Sequence, residues 1–439
     1  MFAVIDCNNF FVSCERVFNP AMEGRAVVVL SNNDGCVVSR SQEAKDIGIK
    51  MGMPAFKLAQ DMGLKVISAH QASKKWNKEE VVAYSSNYVL YSDMSRRVMN
   101  VLEELVPNLE IYSIDESFVE FKGFTTEQLK AKAQEIVHKV KRYTGIPVCV
   151  GIGATKTLAK VANRFAKKYK GYRGYCIIDT EEKLSKALSL TAIEDVWGIG
   201  RRYSKMLKGE GIRTAHDFVT MSNHWVRAKM GVVGERTQLE LKGTSANKLD
   251  HITDKKSITT SRSFGDMVES LEQLQEAVSS FASSCAAKLR QQNSVAQCIT
   301  VYLLTNFFRE DLPKYYNSIT LRLPEATDGT LELVNEALKG LRAIYKKGYL
   351  YKKAGVIVTE LMGSDCVQQN LFYSNDVTKI NQINKVLDSV NAKYGRDTLK
   401  IAVQGGLLAD QKDESWVMKR ENLSRNFTTN ISDIIECKI

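Results

Sequence analysis

The chain has 439 residues, 44% of them hydrophobic, and 61 lysines and arginines against 50 acids leave it a net charge of +11. That length suits about three domains, or four small ones, each with a real core. No apolar run reaches membrane-spanning length, nine scattered cysteines form no Cys-x-x-Cys pair or regular framework, and five histidines have no metal-ligand spacing. A transmembrane-helix protein, a disulfide scaffold and a zinc site are therefore excluded, and a soluble cytoplasmic protein with reduced thiols is expected.

Taken in chain order, Met1 to Asp6 is a short continuous apolar run ending in an acid, which suits a buried central strand whose C-terminal end reaches a site. Val27 to Leu30, the turn-rich Ser31 to Gly35 and Cys36 to Arg40 form a hairpin pattern, and Gln42 to Asp46 begins a helix. Ser73 to Glu80 is a polar, charged insert with no assigned role. Val89 to Leu105 carries apolar residues at helical spacing, and a second helix is predicted over about Thr126 to Arg142, before a strand at Val148 to Ile152. Strands separated by helices predict a mixed sheet covered on one side.

Between those helices, Asp115 and Glu116 interrupt an apolar strand pattern. Neighbouring residues on a regular strand point to opposite faces, so the two acids share a ligand only if the chain bends. Leu109 to Ile114 and Phe118 to Phe121 then become the arms of a tight hairpin whose tip presents both. An exposed acidic turn is the commoner fate of an isolated Asp-Glu pair. A third acid, Asp6, shifts the balance, because three carboxylates on two strands supply only oxygen ligands, which suit Mg2+ or Mn2+. Phosphoryl transfer between nucleotides commonly employs two such ions.

Residues Ala154 to Arg213 hold 14 basic and 6 acidic residues, a local surplus that favours a polyanionic partner, with a solvated basic face equally open on charge alone. Residues 180 to 243 read as short helices punctuated by glycines. Beyond Ser257 the order is strand (Ile258 to Phe264), helix (Leu271 to Gln291), strand (Val295 to Asn306), strand (Ser318 to Leu323), helix (Gly329 to Tyr345), strand (Ala354 to Leu361). From Asp250 to Asp365 basic and acidic residues balance, so any polyanion-facing stripe there must be local.

Asp6-Cys-Asn-Asn-Phe-Phe11 followed by Ser113-Ile-Asp-Glu116 resembles the catalytic motifs of Y-family translesion DNA polymerases. Ser31-Asn-Asn-Asp-Gly-Cys36, Glu43-Ala-Lys45, Ser85-Ser-Asn-Tyr88, Gly151 to Lys160 and Val196-Trp-Gly-Ile-Gly-Arg-Arg202 follow in that family's order, and the similarity to its UmuC-like branch covers nearly the whole chain. The resemblance implies an α+β, multi-domain right-hand polymerase. It has a ferredoxin-like palm (1–10 and 84–172), small fingers (11–83), a helical thumb with a helix-hairpin-helix (173–245), a βαββαβ little finger (250–364) and a C-terminal extension (365–439).

Residue by residue, the resemblance implies that Asp6, Asp115, Glu116 and the backbone carbonyl of Cys7 hold two Mg2+ ions, with Mn2+ a possible substitute, and that Asp115 and Glu116 are catalytic. Phe11 takes the steric-gate position against a ribose 2′ hydroxyl. Lys45 and Lys167 fall where the family places cations on the triphosphate; at the first position Lys replaces a frequent Arg and supplies a point charge without a fork. Gly198 and Gly200 form a turn through which backbone N–H groups approach a DNA phosphate, beside Arg201, Arg202 and Lys205. Gln368, Leu371 and Phe372, within Gln368-Gln-Asn-Leu-Phe372, look like a sliding-clamp-binding peptide. Implied partners are primer-template DNA, deoxynucleoside triphosphates, the clamp, a cleaved UmuD-like accessory subunit and the recombinase filament.

The function implied is error-prone, DNA-directed translesion synthesis in the SOS response, without a segment for a proofreading exonuclease. A catalytically silent DNA-binding repair scaffold would dispense with the acids, all of which are present. A nucleotidyl cyclase would build a similar two-metal site without a helix-hairpin-helix or clamp peptide.

Overall fold

The computed structural model describes residues 1–69, 71, 72, 77, 79–249, 254–366, 377–395, 397–405, 416 and 418–435. The chain forms two compact units, Met1–His251 with Glu421–Ile439, and Ile252–Arg420. The Ser73 to Glu80 insert falls mostly outside the described residues.

In the first unit, β1 (Phe2–Cys7) leads into α1 (Phe10–Phe18). A four-stranded sheet follows, made of β2 (Val27–Leu30), β3 (Val37–Arg40), β4 (Lys65–Ser68) and β5 (Glu80–Ser85) in the order β3-β2-β5-β4, with α2 (Gln42–Asp46) and α3 (Ala55–Gln60) in its connections. The predicted hairpin is the β2–β3 pair. The parallel pairing of β5 with both β2 and β4 joins partners 55 and 15 residues apart in sequence without any local signal.

The larger sheet has the order β6-β7-β1-β8-β9, from β6 (Leu109–Ile111), β7 (Glu116–Glu120), β1, β8 (Val148–Gly153) and β9 (Tyr175–Ile177). It is covered on both faces, not on one as expected. Alternation sends Ala3, Ile5 and Cys7 of β1 into a core with α4 (Tyr88–Leu105) and α5 (Thr126–Thr144), while Phe2 and Val4 meet Phe118 and Ala159 of α6 (Lys156–Lys168). Asn87 caps α4, and a Thr125/Gln128 capping box starts α5, which ends on a left-handed Gly145. Gly151 lets α6 lie against the sheet, because a Cβ there would stand 2.1 Å from the Asn163 amide nitrogen. That glycine lies in a stretch the sequence identified as a motif, so the helix behind it went unassigned.

A helical region follows: α7 (Glu181–Leu190), α8 (Arg201–Gly209), α9 (Ala215–Thr220) and α10 (Asn223–Leu241). The C-terminal Glu421 to Ile435 returns to this unit.

The second unit is an antiparallel sheet, order β10-β13-β11-β12, from β10 (Ile258–Val268), β11 (Ser294–Thr305), β12 (Tyr316–Thr327) and β13 (Tyr351–Gly363). Its apolar residues pack with α11 (Leu271–Gln291) and α12 (Thr330–Ile344), in the predicted strand and helix order. Arg290 of α11 forks onto Asp388 of α13 (Val377–Tyr394) with two 2.7 Å hydrogen bonds, and Trp416 meets Phe281 edge-on. Residues 365–439, expected as one extension, are thus shared between the units.

Candidate active site

Asp115 and Glu116 sit where the hairpin turns. Ile111 pairs with Ser117, and the Tyr112 and Ser113 amides both donate to the Glu116 carbonyl, at 3.0 and 2.9 Å, so the chain reverses over residues 112–115. Asp115 ends the turn, where the Ser113 hydroxyl donates to its Oδ1 at 2.7 Å. Glu116 opens β7.

Register then joins the hairpin to the first strand. Asp6 lies directly opposite Glu116, and the Cys7 amide donates to the Asp115 carbonyl at 2.8 Å. Facing residues of an antiparallel pair share a side, so Asp6 and Glu116 both project toward α6. The Cys7 thiol lies in the opposite core and burial pushes its pKa well up, leaving only main chain to face a ligand.

Helix α6 meets these acids with lysines. Lys156, Lys160 and Lys167 are spaced i, i+4 and i+11, which aligns them along one stripe. They pair in turn with Glu110 at 2.6 Å, Glu116 at 2.8 Å and Asp6. Lys160 also stands over the rings of Tyr112 and Trp197, 4.6 and 4.7 Å from their centroids. Burial raises the Asp6 and Glu116 carboxyls above their ordinary values; Lys167 and Lys160 respectively oppose the rise, while the charge of Asp115 adds to it at Asp6 and that of Asp6 adds to it at Glu116.

Among the described residues, no group of three or more His, Cys, Asp or Glu side chains is gathered closely enough to hold a metal ion. The donor set nevertheless fits a hard divalent cation: oxygens only, and two partly buried carboxylates already set against cations. Lysines hold the places such a cation would neutralise.

The remaining predicted residues fall around this face or apart from it. Lys45 donates to Asn9 Oδ1 at 2.6 Å, and Asn9 holds a left-handed conformation at the head of α1. Desolvation, with repulsion from Arg40 and Lys167, lowers the Lys45 pKa, and Asp6 counters it, so its charge reaches the same site. Phe11 stacks on Tyr91, ring centroids 4.6 Å apart at 14°, and meets Tyr88 edge-on. Gly198 takes φ +91, a left-handed conformation that demands glycine, and Gly200 caps α8. The arm preceding this turn is a 3-10 turn at Ile193–Asp195 rather than a full helix, because Val196 to Gly200 leave it at once. Arg201, Arg202 and Lys205 are exposed on α8 and make no ion pair among the described residues. Gln368, Leu371 and Phe372 lie outside the described residues.

Sequence reasoning passed over Lys156 and Lys160. Their spacing with Lys167 on one helical stripe was the available signal. It also passed over Glu15, fully buried, whose partners come from Tyr91 and from the far C-terminus.

Comparison with known proteins agrees with this architecture. The impB/mucB/samB family model matches residues 5–164, its C-terminal domain model residues 255–371, and a domain-of-unknown-function model (DUF4113) residues 381–436. The chain is 40% identical to Protein UmuC of Salmonella typhimurium over the whole of both chains, and 37% identical to Protein MucB of Escherichia coli over 98% of this chain and 97% of that one. Among solved structures, a Y-family DNA polymerase chimera of Dbh and Dpo4 matches with a TM-score of 0.64 at 20% identity, covering 83% of this chain and all of that one, a likeness of fold. The chain belongs to the impB/mucB/samB family and carries the fold of the Y-family DNA polymerases.

Proposed function

We propose that Asp6, Asp115, Glu116 and the Cys7 carbonyl hold two Mg2+ ions, replaceable by Mn2+, and that the primer 3′ hydroxyl attacks the α-phosphate of an incoming deoxynucleotide at this face, releasing pyrophosphate. The observation that carries the reading is the register of Asp6 against Glu116, with Asp115 tied to β1 by the Cys7 amide. When bound, the ions supply the charge that activates the hydroxyl and steadies the leaving group.

The chain's own residues do the rest. Lys167 exchanges Asp6 for the triphosphate, joined by Lys45, so positive charge follows the nucleotide into the site. Phe11, backed by Tyr91, stands beneath the sugar. Arg201, Arg202 and Lys205, with the Gly198–Gly200 turn, hold the DNA backbone through phosphates and carry no sequence preference.

In this reading residues 1–10 and 84–172 are the palm, 11–83 the fingers, 173–245 the thumb, 250–364 the little finger and 365–439 an accessory extension. Gln368, Leu371 and Phe372 engage the sliding clamp, and a cleaved UmuD-like subunit and the recombinase filament support synthesis in the cytoplasm. No helix among the described residues is long and apolar enough to cross a membrane.

Primer extension on undamaged and abasic templates tests the assignment. Asp115→Asn and Glu116→Gln are each expected to lower extension by on the order of 10³-fold. Wild-type extension unchanged by both substitutions would refute the site. No wild-type extension even with clamp and accessory proteins would favour the silent scaffold.

A further inference from the structure

The C-terminal segment Glu421 to Phe427, in the stretch matched by the domain-of-unknown-function model, threads into the first unit beside the junction of β5 and α4. The Ser85 amide donates to the Asn422 carbonyl at 2.9 Å, and the Asn422 amide donates back to the Ser85 hydroxyl at 2.9 Å. Ser85 in turn donates to Asp34, which also receives the Glu421 amide at 2.9 Å. The Asn87 side-chain amide donates to the Ser424 carbonyl, the Ser424 hydroxyl and the Arg425 carbonyl, at 3.1 to 3.3 Å. Phe427 stacks on Phe18 at 4.8 Å. This segment is seated by main-chain and side-chain bonds, among them bonds to Ser85 and Asn87, which are 0 and 2% exposed, and is not laid loosely on a surface.

One of its side chains goes further in. The Ser424 hydroxyl donates to Glu15 Oε1 at 3.0 Å, and the Tyr91 hydroxyl donates to the same oxygen at 2.6 Å. Tyr91, fully buried, is the ring on which Phe11 stacks. Burial pushes the Glu15 pKa up to about 7, against the two hydroxyls that lower it, so the carboxyl gains from every donor it has. Asn87, which the segment also grips, caps the helix that carries Tyr91.

We propose that Ser424 is a positioning residue for sugar selection: through Glu15 and Tyr91, the C-terminal segment sets where the Phe11 ring stands, and so how strictly the polymerase rejects ribonucleotides. The proposal rests on the reading of Phe11 as the gate. Ser424 touches neither nucleotide nor metal ligands. A gate works by sub-ångström clearance under the sugar, so a shift of its backing ring costs discrimination before it costs catalysis.

The test is single-nucleotide insertion by the full chain, with kcat/KM measured for a deoxynucleotide and for the matching ribonucleotide. Ser424→Ala is expected to lower the ratio of the two by about 5- to 10-fold, with deoxynucleotide insertion within about 3-fold of wild type. Ser424→Thr, which keeps the hydroxyl, restores the ratio, and Glu15→Met, which removes the shared acceptor oxygen, lowers it like Ser424→Ala. Phe11→Ala, the control for the gate itself, lowers it by on the order of 10²-fold. An unchanged ratio in Phe11→Ala overturns the gate reading. A collapsed ratio in Phe11→Ala with an unchanged one in both Ser424→Ala and Glu15→Met overturns this proposal and leaves the gate standing. Equal losses on both nucleotides in the Ser424 and Glu15 variants also overturn it, since they mark a merely structural contact.

Discussion

Two acidic places in the first unit, one partly and one fully buried, solve the same problem in opposite ways. On the α6 face, Asp6 and Glu116 are compensated by ammonium groups at the ends of long side chains, Lys167 and Lys160. Behind Phe11, Glu15 is compensated by two neutral hydroxyls, and burial lifts it to about 7. A cation partner can be exchanged for another cation; a hydroxyl cannot. The first arrangement therefore suits acids that bind metal and release lysines to a triphosphate, and the second an acid that holds a wall in place.

The sharpest break comes from removing an acid of the first kind, where Asp115→Asn and Glu116→Gln are each expected to lower extension by on the order of 10³-fold. A second test lies in the lysine stripe itself. Lys156, 3% exposed against Glu110 at 9%, sits at its dry end. Lys156→Met should destabilise the fold by about 3 kcal/mol, read by urea unfolding, because a buried carboxylate loses its ammonium. Lys160→Met, at the more open Glu116, should cost about 2 kcal/mol without divalent ions, and millimolar Mg2+ should recover part of it. A Lys160 loss indifferent to Mg2+ would erase the contrast between exchangeable and fixed partners.

The Glu15 side of the comparison is tested by pH. The native state keeps the Glu15 proton above the ordinary value of 4.5, so its contribution to stability is full below about 4.5 and lost as pH rises through about 7. Around it stand Tyr91, Ser424, and the Tyr84 and Cys14 groups, whose pKa values are themselves raised, so none of these titrates across that window. Wild type should lose up to about 3 kcal/mol relative to Glu15→Gln between pH 4.5 and 8 in urea titrations. A constant difference would mean that folding does not shift the Glu15 pKa. The smallest effect belongs to a surface pair: Lys208→Ala, half exposed beside Glu194, should shift stability by under about 0.5 kcal/mol.

What was legible in the sequence follows the same division. Asp6, Asp115 and Glu116 stood out because charges inside apolar strand patterns are costly, and their hairpin and strand lie where the patterns place them. Helices α4, α5, α11 and α12 carry sustained periodicity and start within about two residues of expectation. Helix α6 hid behind a motif reading, and with it the second covered face of the sheet. The parallel pairing of β4 and β5 and the seating of Ser424 on Glu15 have no local signature at all. The latter joins residues 409 apart, and only tertiary packing brings them together.

The central claim, that three acids on β1 and the β6–β7 hairpin form a divalent-metal site, is tested most directly by counting Mn2+ with electron paramagnetic resonance. The sample is the full chain with primer-template DNA and a non-hydrolysable deoxynucleoside triphosphate. The account predicts two bound ions per chain in wild type, with loss of at least one in Asp6→Asn and in Glu116→Gln. Two ions retained in both variants would contradict it.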